Sequence, residues 1–406
     1  MRDKLATGLS VLALVSVALL YLRVNHLQLE QHMYESKDDD EVPVIEVNTP
    51  PAKGRKVRNS PGIEADRNNI LTEEVQQPKA MEKKQSVTTV SKTSSKELSV
   101  SKTEESSIPP LPKEFVPLSK KTVDNVEKFV FFVGYPRSGH SVIASLMDSH
   151  PNIVIAHQYN VFGEWVKGNM SSTLQNKEFL FNELYKDSWY QATSGWRTAK
   201  SDVKGYSLHT DSSWLGRYKQ LKVIGDKDAA LTSWTYYRYP DQFQDAFHHL
   251  KESLKIPIRV IHVVRNPYDM IATHLLYKVS DRPGRRLKTA TENNKYNNTR
   301  LLQIGAINVF RDVNAVESMT KALNLDVLET HNIDLVQDPR GTMQKICDFV
   351  GVECSESYLQ LCQDKAFDKV SITRNLVYWS KELLADVEKR VKLHRFFDRY
   401  SFDSNF

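Results

Sequence analysis

Residues Phe129 to Val133 read FVFFV, an unbroken apolar run of aromatic and β-branched side chains that stops at Gly134. From Ser141 the text SVIASLMDSH places Val142, Ile143, Leu146 and Met147 at helical spacing, with Pro151 as a nearby stop. A strand apolar on both faces needs cover on both faces, as in the buried strands of parallel sheets. Between strand and helix stands Gly134-Tyr135-Pro136-Arg137-Ser138-Gly139-His140-Ser141. A glycine-bearing loop opening a helix turns backbone N–H groups and the helix N-terminus toward one point, which makes a site for anionic oxygens. Further apolar runs follow at Ile153 to Ile155, Leu221 to Gly225 (LKVIG) and Ile258 to Val264 (IRVIHVV), the last two each leading into a helical pattern. Strands alternating with helices predict an α/β fold: a three-layer αβα, P-loop-like domain with a mainly parallel sheet and right-handed crossovers. Its ligands should gather at the carboxyl ends of the strands.

The loop has the spacing of the nucleotidase pattern G-x-x-x-x-G-K-[ST], but His140 occupies the lysine position that reaches the β and γ phosphates. Arg137 instead sets a permanent, multi-donor cation one residue before Ser138-Gly139. An ordinary glycine turn ahead of a helix is the plainer account of this segment taken alone. A second segment changes the balance. The strand Ile258 to Val264 ends in Arg265-Asn266-Pro267-Tyr268-Asp269, with Pro267 suited to the first helical position and Asp269 to the first turn. Thr273 follows Asp269 by about one turn on the same helix face, so its hydroxyl and the Arg265 guanidinium are expected around one phosphate.

In this order the two segments resemble the sulfotransferase family. YPRSGHS is similar to that family's 5′-phosphosulfate loop, and RNPYDMIAT to its 3′-phosphate segment R-N-P-x-D-x-x-x-S, with Thr273 at the serine position. The resemblance extends more weakly through Asn332 to Pro339, Ile346 to Gly351 and Ser371 to Trp379. It implies 3′-phosphoadenosine 5′-phosphosulfate as co-substrate, with no metal demanded. Arg137, Ser138, Gly139, His140 and Ser141 would hold the 5′ end, and Arg137 would help neutralise the leaving oxygen. Arg265 and Thr273 would hold the 3′-phosphate, with Arg374 of the late basic loop reaching the same group. Val142 stands where cytosolic members usually carry a tryptophan that stacks on adenine, and Asn332 and Ile333 replace the usual Tyr and Glu, which leaves the base without an assigned contact.

Sulfuryl transfer needs in-line placement of acceptor and leaving oxygens, charge stabilisation, and a group to take the acceptor's proton. Asp226 and Lys227 follow the third strand, and Lys227 resembles a family lysine at that place. His157 and Glu164 follow the second strand. Arg137, Lys227, Asp226 and His157 are therefore the candidate catalytic residues, with the base unresolved among them.

Ahead of this domain, Leu5 to Leu22 carries no charge over a length that just spans a bilayer core, and Arg2 and Lys4 precede it. The expected organisation is a cytoplasmic tail at 1–4, a signal anchor at 5–22, a flexible Lys, Glu, Ser, Thr and Pro-rich stem at 23–126, and a luminal domain at 127–406. A cleaved signal peptide is the rival account of the apolar run. The net charge of +5 lies mainly in the domain and suits anionic ligands. Three cysteines, Cys347, Cys354 and Cys362, match no zinc spacing and allow one disulfide. Sequons at Asn169 and Asn297 permit N-glycans in a lumen. The expectation is a Golgi membrane enzyme, single-pass type II, acting on a carbohydrate or protein hydroxyl or amine, with no nucleic-acid partner. A P-loop nucleotide kinase, and a non-catalytic protein that keeps the fold, are the alternatives.

Overall fold

The computed structural model describes residues 108–168, 176–193, 213–278 and 290–406. The expected tail, anchor and most of the stem, and the sequon at Asn169, lie outside the described residues. Among those described, no helix is long and apolar enough to cross a membrane.

Five described strands form one parallel sheet: β1 (Lys128–Val133), β2 (Ile153–His157), β3 (Val223–Lys227), β4 (Ile258–Val264) and β5 (Val327–His331), in the order β2-β3-β1-β4-β5. Alternation along each strand divides the core between its faces. Phe129, Phe131 and Val133 join Val154, Ala156 and Ile224 on one side, whereas Val130 and Phe132 join Ile153, Ile155 and Val223 on the other. Helix α2 (His140–Asp148) packs on the second face through Val142, Ile143, Leu146 and Met147, as its spacing predicts. The third strand runs two residues later than its apolar text. Its register pairs Val223 with Ile153 on one side and Lys128 on the other, so the partners' starting points decide where β3 begins.

The chain from β1 turns toward β2, while β4 continues outward to β5, so the sheet has its switch point between β1 and β4. At such a point the loops diverge and leave a crevice at the carboxyl ends. The loop 134–141 and Arg265 stand there. The connecting helices that matter for it are α3 (Val161–Val166) and α4 (Lys177–Thr193) after β2, α5 (Ala229–Arg238) and α6 (Pro240–Leu254) after β3, and α7 (Pro267–Lys278) and α8 (Thr299–Ala322) after β4. Beyond β5 come α9 (Asn332–Gln337), α10 (Pro339–Val350), α11 (Glu356–Lys365), a 3₁₀ turn at Arg374–Leu376, and α12 (Lys381–Val391).

The folded domain begins earlier than the expected boundary at 127. Helix α1 (Lys120–Asp124) is capped by Ser119, and Leu118, Val123 and Val126 are buried in the core. Phe115 sits 5.5 Å from Tyr185 and 5.8 Å from Trp189, ring centre to ring centre, and Trp189 Nε1 donates to the Pro112 carbonyl at 3.0 Å. The polar average of the stem conceals this short apolar stretch, which gains its cover from α4 and the core around it.

Candidate functional site

The loop after β1 is built on unusual backbone. Gly134 and Gly139 have φ of 144° and 100°, and Arg137 sits at 70°, in the left-handed region that side chains avoid. Holding a non-glycine residue there costs on the order of 1–3 kcal/mol and persists only where the surroundings over-determine it. Here they do. The Gly134 N–H donates to Ser233 Oγ of α5 at 3.1 Å, and Ser233 in turn donates to the Ala229 carbonyl at 3.0 Å. The buried Tyr135 hydroxyl meets His262 Nε2 of β4 at 3.0 Å, and burial lowers the His262 pKa to about 4, so the ring is neutral. Ser138, also buried, lies 3.1 Å from His140 Nδ1 through its hydroxyl. A Cβ on Gly139 would stand 2.4 Å from Asn332 Nδ2 at the start of α9, so glycine is required there both for its φ and for that close approach.

Arg265 leaves the end of β4 and joins the two cationic segments. Its Nη1 donates to the Arg137 carbonyl at 2.8 Å and its Nη2 to the Ser371 carbonyl at 2.7 Å. The strand-end arginine, the loop and the late 370s segment therefore share one edge of the sheet, and a narrow crevice there is lined by Arg265, Asn332, Ile333, Val370, Tyr400 and Phe406, among others.

Other expected site residues take different partners. Thr373 Oγ1 donates its one proton to the Asp269 carbonyl at 2.9 Å, so in the 2.8 Å contact between Thr273 and Thr373 the proton belongs to Thr273. The Thr273 hydroxyl thus donates to Thr373. Arg374, expected at the same phosphate, is 2 % exposed and bonded internally. Its Nη1 meets Asp269 Oδ2 at 2.5 Å, its Nε donates to the Phe402 carbonyl at 2.6 Å, and its Nη2 to the Ser404 carbonyl. Asp269 Oδ1 also accepts the N–H groups of Thr373 and Arg374, at 2.8 and 2.9 Å. A sequence pattern shows an arginine near a ligand loop but not the carboxylate that captures it.

The candidate bases separate by strand parity. Asp226 and Lys227 are successive strand residues and must face opposite ways. Asp226 accepts the N–H groups of Tyr159 and Val161, at 3.1 and 3.0 Å, and so secures the β2–α3 turn. Burial first, against those hydrogen bonds and Lys227, raises its pKa to about 6. Lys227 is fully buried and pairs in register with His157; its parity places it on the face covered by α2, beside the anion loop. His157 Nε2 lies 3.8 Å from Asp148 Oδ2. Asp148 is the last residue of α2. Glu164, buried in α3, has its carboxylate 3.7 Å from Lys167. Ser233, Tyr135 with His262, and Asn332 surround the loop; Tyr135 was legible as part of the loop motif and Asn332 as a departure from the family pattern, whereas Ser233 and His262 carried no sequence signal.

Cys347 and Cys354 form a disulfide, and Cys362 is buried and free. His150 comes close to that pair, but its Nδ1 accepts the Asn152 N–H at 3.0 Å and its Nε2 bonds the Glu353 carbonyl at 3.1 Å, so both ring nitrogens are already used.

A parallel α/β sheet with a strained glycine-bearing loop at one strand end and an arginine at the next defines a P-loop-like domain. The model of the family described as "Sulfotransferase family" matches residues 130–356, more than half of the chain, and spans the loop, β4 and α9. The chain belongs to the sulfotransferase family and is a transferase. This match decides against the nucleotide-kinase alternative. Similar solved structures include the sulfotransferase domain of the Synechococcus PCC 7002 olefin synthase (18 % identity, 66 % of this chain and 94 % of that one, TM-score 0.35). Others are sulfotransferase STF9 from Mycobacterium avium (12 %, 68 % and 79 %, TM-score 0.35) and mouse sulfotransferase SULT7A1 complexed with PAP (13 %, 69 % and 93 %, TM-score 0.35). Among curated proteins no significant match is found.

Proposed function

We propose that this chain moves a sulfuryl group from 3′-phosphoadenosine 5′-phosphosulfate to a hydroxyl or amine of a luminal acceptor, a carbohydrate ahead of protein tyrosine. The observation that carries the donor half is the Arg265 guanidinium bonded to the Arg137 carbonyl at 2.8 Å, which unites two separate anion-binding segments at the sheet's switch point. An ordinary nucleotide has no 3′-phosphate to occupy the second of them. The bound donor supplies the activated sulfuryl group. The acceptor oxygen or nitrogen bonds to sulfur as the bridging bond to the phosphate breaks, leaving adenosine 3′,5′-bisphosphate, and the acceptor's proton is released to solvent. Arg137 and the loop N–H groups hold the 5′ phosphate and balance the charge that develops on the bridging oxygen. Lys227, on the α2 side of β3, adds a second cation to that balance. Arg265 fixes the 3′ end and so the line of attack.

The acceptor reading is supported by α5, which leaves β3 directly after Lys227 and Asp228. Its less buried stripe is Leu231, Trp234 and Tyr237, with Tyr237 54 % exposed, and the Arg311 guanidinium of α8 lies 5.5 Å from the Tyr237 ring. An exposed aromatic face suits the apolar face of a sugar ring, while Arg311 itself is paired with Asp312 at 2.9 Å. Placement in the Golgi membrane as a type II protein rests on the apolar run 5–22. The Cys347–Cys354 disulfide fits an oxidising compartment, and Asn297 is exposed just before α8, open to a glycan.

The test is transfer of radiolabelled sulfate by the detergent-solubilised full chain to a panel of glycans and tyrosine peptides. Label on an acidic glycan that falls when Tyr237 is changed to Ala supports the reading. Label on peptide alone would replace the carbohydrate, and no transfer to any acceptor would overturn the activity. Glycosidase treatment of wild type and Asn297→Gln checks the lumen: a mobility shift lost in the variant is expected.

A further inference from the structure

Helix α12 ends in a run of cations: Lys389 and Arg390 lie in its last turn, and Lys392 and Arg395 follow. The helix dipole favours cations there, which accounts for their presence but not for the space beside them. Helical spacing puts Asp386, Lys389 and Arg390 on one stripe, continued by Leu393 and His394, and sets Phe310 and Asn314 one turn apart on α8. The two stripes line a cavity of about 300 Å³ that shares no residue with the crevice at the sheet edge. Discrete ligand sites begin at roughly 300 Å³, so a single ring fits. The floor is aromatic: Phe310 is buried, the His394 ring lies nearly parallel to it with centres 6.1 Å apart, and the Arg390 guanidinium stands 5.7 Å from the same ring. At the rim Leu393 is 72 % exposed, more than any other large apolar side chain among the described residues. Arg390 Nε donates to Asp386 Oδ2 at 2.9 Å, and His394 Nδ1 is 3.0 Å from Glu317 Oε1. Lys389, exposed, pairs with no carboxylate among the described residues.

We propose that this cavity between α8 and α12 is a second carbohydrate site, which holds one acidic sugar of an acceptor or product chain apart from the sheet edge where transfer occurs. Lys389 supplies the charge for the acid group, and Arg390, engaged by Asp386 only through Nε, adds its terminal nitrogens. Asp386 accepts hydrogen bonds and cannot donate, and the Asn314 amide does both, so this wall suits a ligand that brings hydroxyl groups as well as an anion. A bare anion would have no donor to offer Asp386. The apolar face of the sugar leaves water against Leu393. A lipid headgroup shares the anionic contact, but a concave cavity with a polar wall favours a discrete ring over a bilayer surface. Phe310 lies 6.5 Å from Phe397, whose ring is 6.1 Å from that of Tyr135, centre to centre, so the cavity opens on the layer that backs the anion loop. A chain held both here and at the reacting edge is bound twice, and the second contact raises its effective concentration at the first.

The choice of a sugar rests on the carbohydrate reading above, but binding is measured without transfer. Calorimetry on the detergent-solubilised full chain compares a hexasaccharide alternating glucuronate with N-acetylhexosamine, the neutral hexamer of N-acetylglucosamine, inorganic sulfate, and monomeric short-chain phosphatidylserine. Wild type should bind the acidic hexasaccharide most tightly. Lys389→Glu should weaken it about tenfold or more, whereas Lys389→Arg should retain it. Leu393→Ala should cost roughly three- to tenfold. Both side chains are exposed, so the unfolding midpoints of these variants should match wild type. If Lys389→Glu and Leu393→Ala both stay within about twofold of wild type, or if wild type does not bind the hexasaccharide, the cavity is not such a site and the carbohydrate reading stands or falls on its own transfer assay. Neutral hexamer or sulfate bound as tightly as the acidic hexasaccharide also overturns the site. Phosphatidylserine bound in its place would assign the face to a lipid headgroup and overturn the sugar. Hexasaccharide binding that is lost in Lys389→Glu, beside a glycan panel that takes no label, would keep the site and sink the transfer reading.

Discussion

Changing Arg374 to Ala separates an internal strut from a phosphate ligand. The guanidinium is 2 % exposed, pairs with Asp269 at 2.5 Å, and donates to two carbonyls of the C-terminal segment. Removing it leaves the Asp269 carboxylate buried with only the two backbone N–H groups of Thr373 and of residue 374 as partners. Breaking one side of a buried pair costs about 3–5 kcal/mol, because the remaining charge loses its counterion without regaining water. For a domain of this size each kcal/mol moves the midpoint by about 2–4 °C, so a drop of roughly 10 °C is expected in thermal unfolding followed by circular dichroism. Asp269→Asn alone should also destabilise, by stranding the cation. The double variant should lose less than the sum, with a coupling of about 1–3 kcal/mol. Arg374→Lys should rescue little, since an ammonium cannot reach the carboxylate and both carbonyls in one plane. A midpoint within about 2 °C of wild type for Arg374→Ala, together with a loss of bisphosphate affinity, would refute the strut and restore the ligand.

Two further outcomes are expected. Arg265→Ala should weaken adenosine 3′,5′-bisphosphate about tenfold to a hundredfold and leave 5′-AMP nearly unchanged, while Arg137→Ala should weaken both and lower turnover besides; calorimetry and single-turnover transfer read the difference. Asp148 is pushed up to about 7, chiefly by burial, from an ordinary value of 3.8, so between those limits the folded state holds a proton that the unfolded chain has released. That contribution is present in full below the unfolded value and is lost as pH rises toward 7, with a slope approaching 1.4 kcal/mol per pH unit at most. Asp148→Asn should therefore gain stability relative to wild type between pH 5 and pH 8 in urea melts, and a constant difference across that range would contradict the assignment.

Much of the fold was legible because a buried parallel strand must be apolar on both faces. FVFFV and IRVIHVV are strands β1 and β4 for that reason, and the glycine-bearing loop between a strand and a helix has few other uses. The start of the domain was not legible, since Leu118, Val123 and Val126 are apolar points in polar text and acquire meaning only against the core they enter. The strand ends were legible as a place but not as a set of roles. Asp226 and Lys227 adjoin in sequence and look equivalent there, yet pleating sends one to the β2–α3 turn and the other toward α2.

By itself the sequence determined the α/β class, the glycine-bearing loop with His140 at the nucleotidase lysine position and Arg137 as its cation, and the arginine at the end of β4. These depend on neighbours along the chain, through strand periodicity, loop glycines and helix starts. Tertiary structure alone decided which polar groups remain for a ligand. Arg374 meets Asp269 across 105 positions and Thr273 meets Thr373 across 100, while Asn332 closes on Gly139 from another strand end. The internal partners of each charge and hydroxyl are brought together by the crossovers of the sheet, which local pattern does not encode.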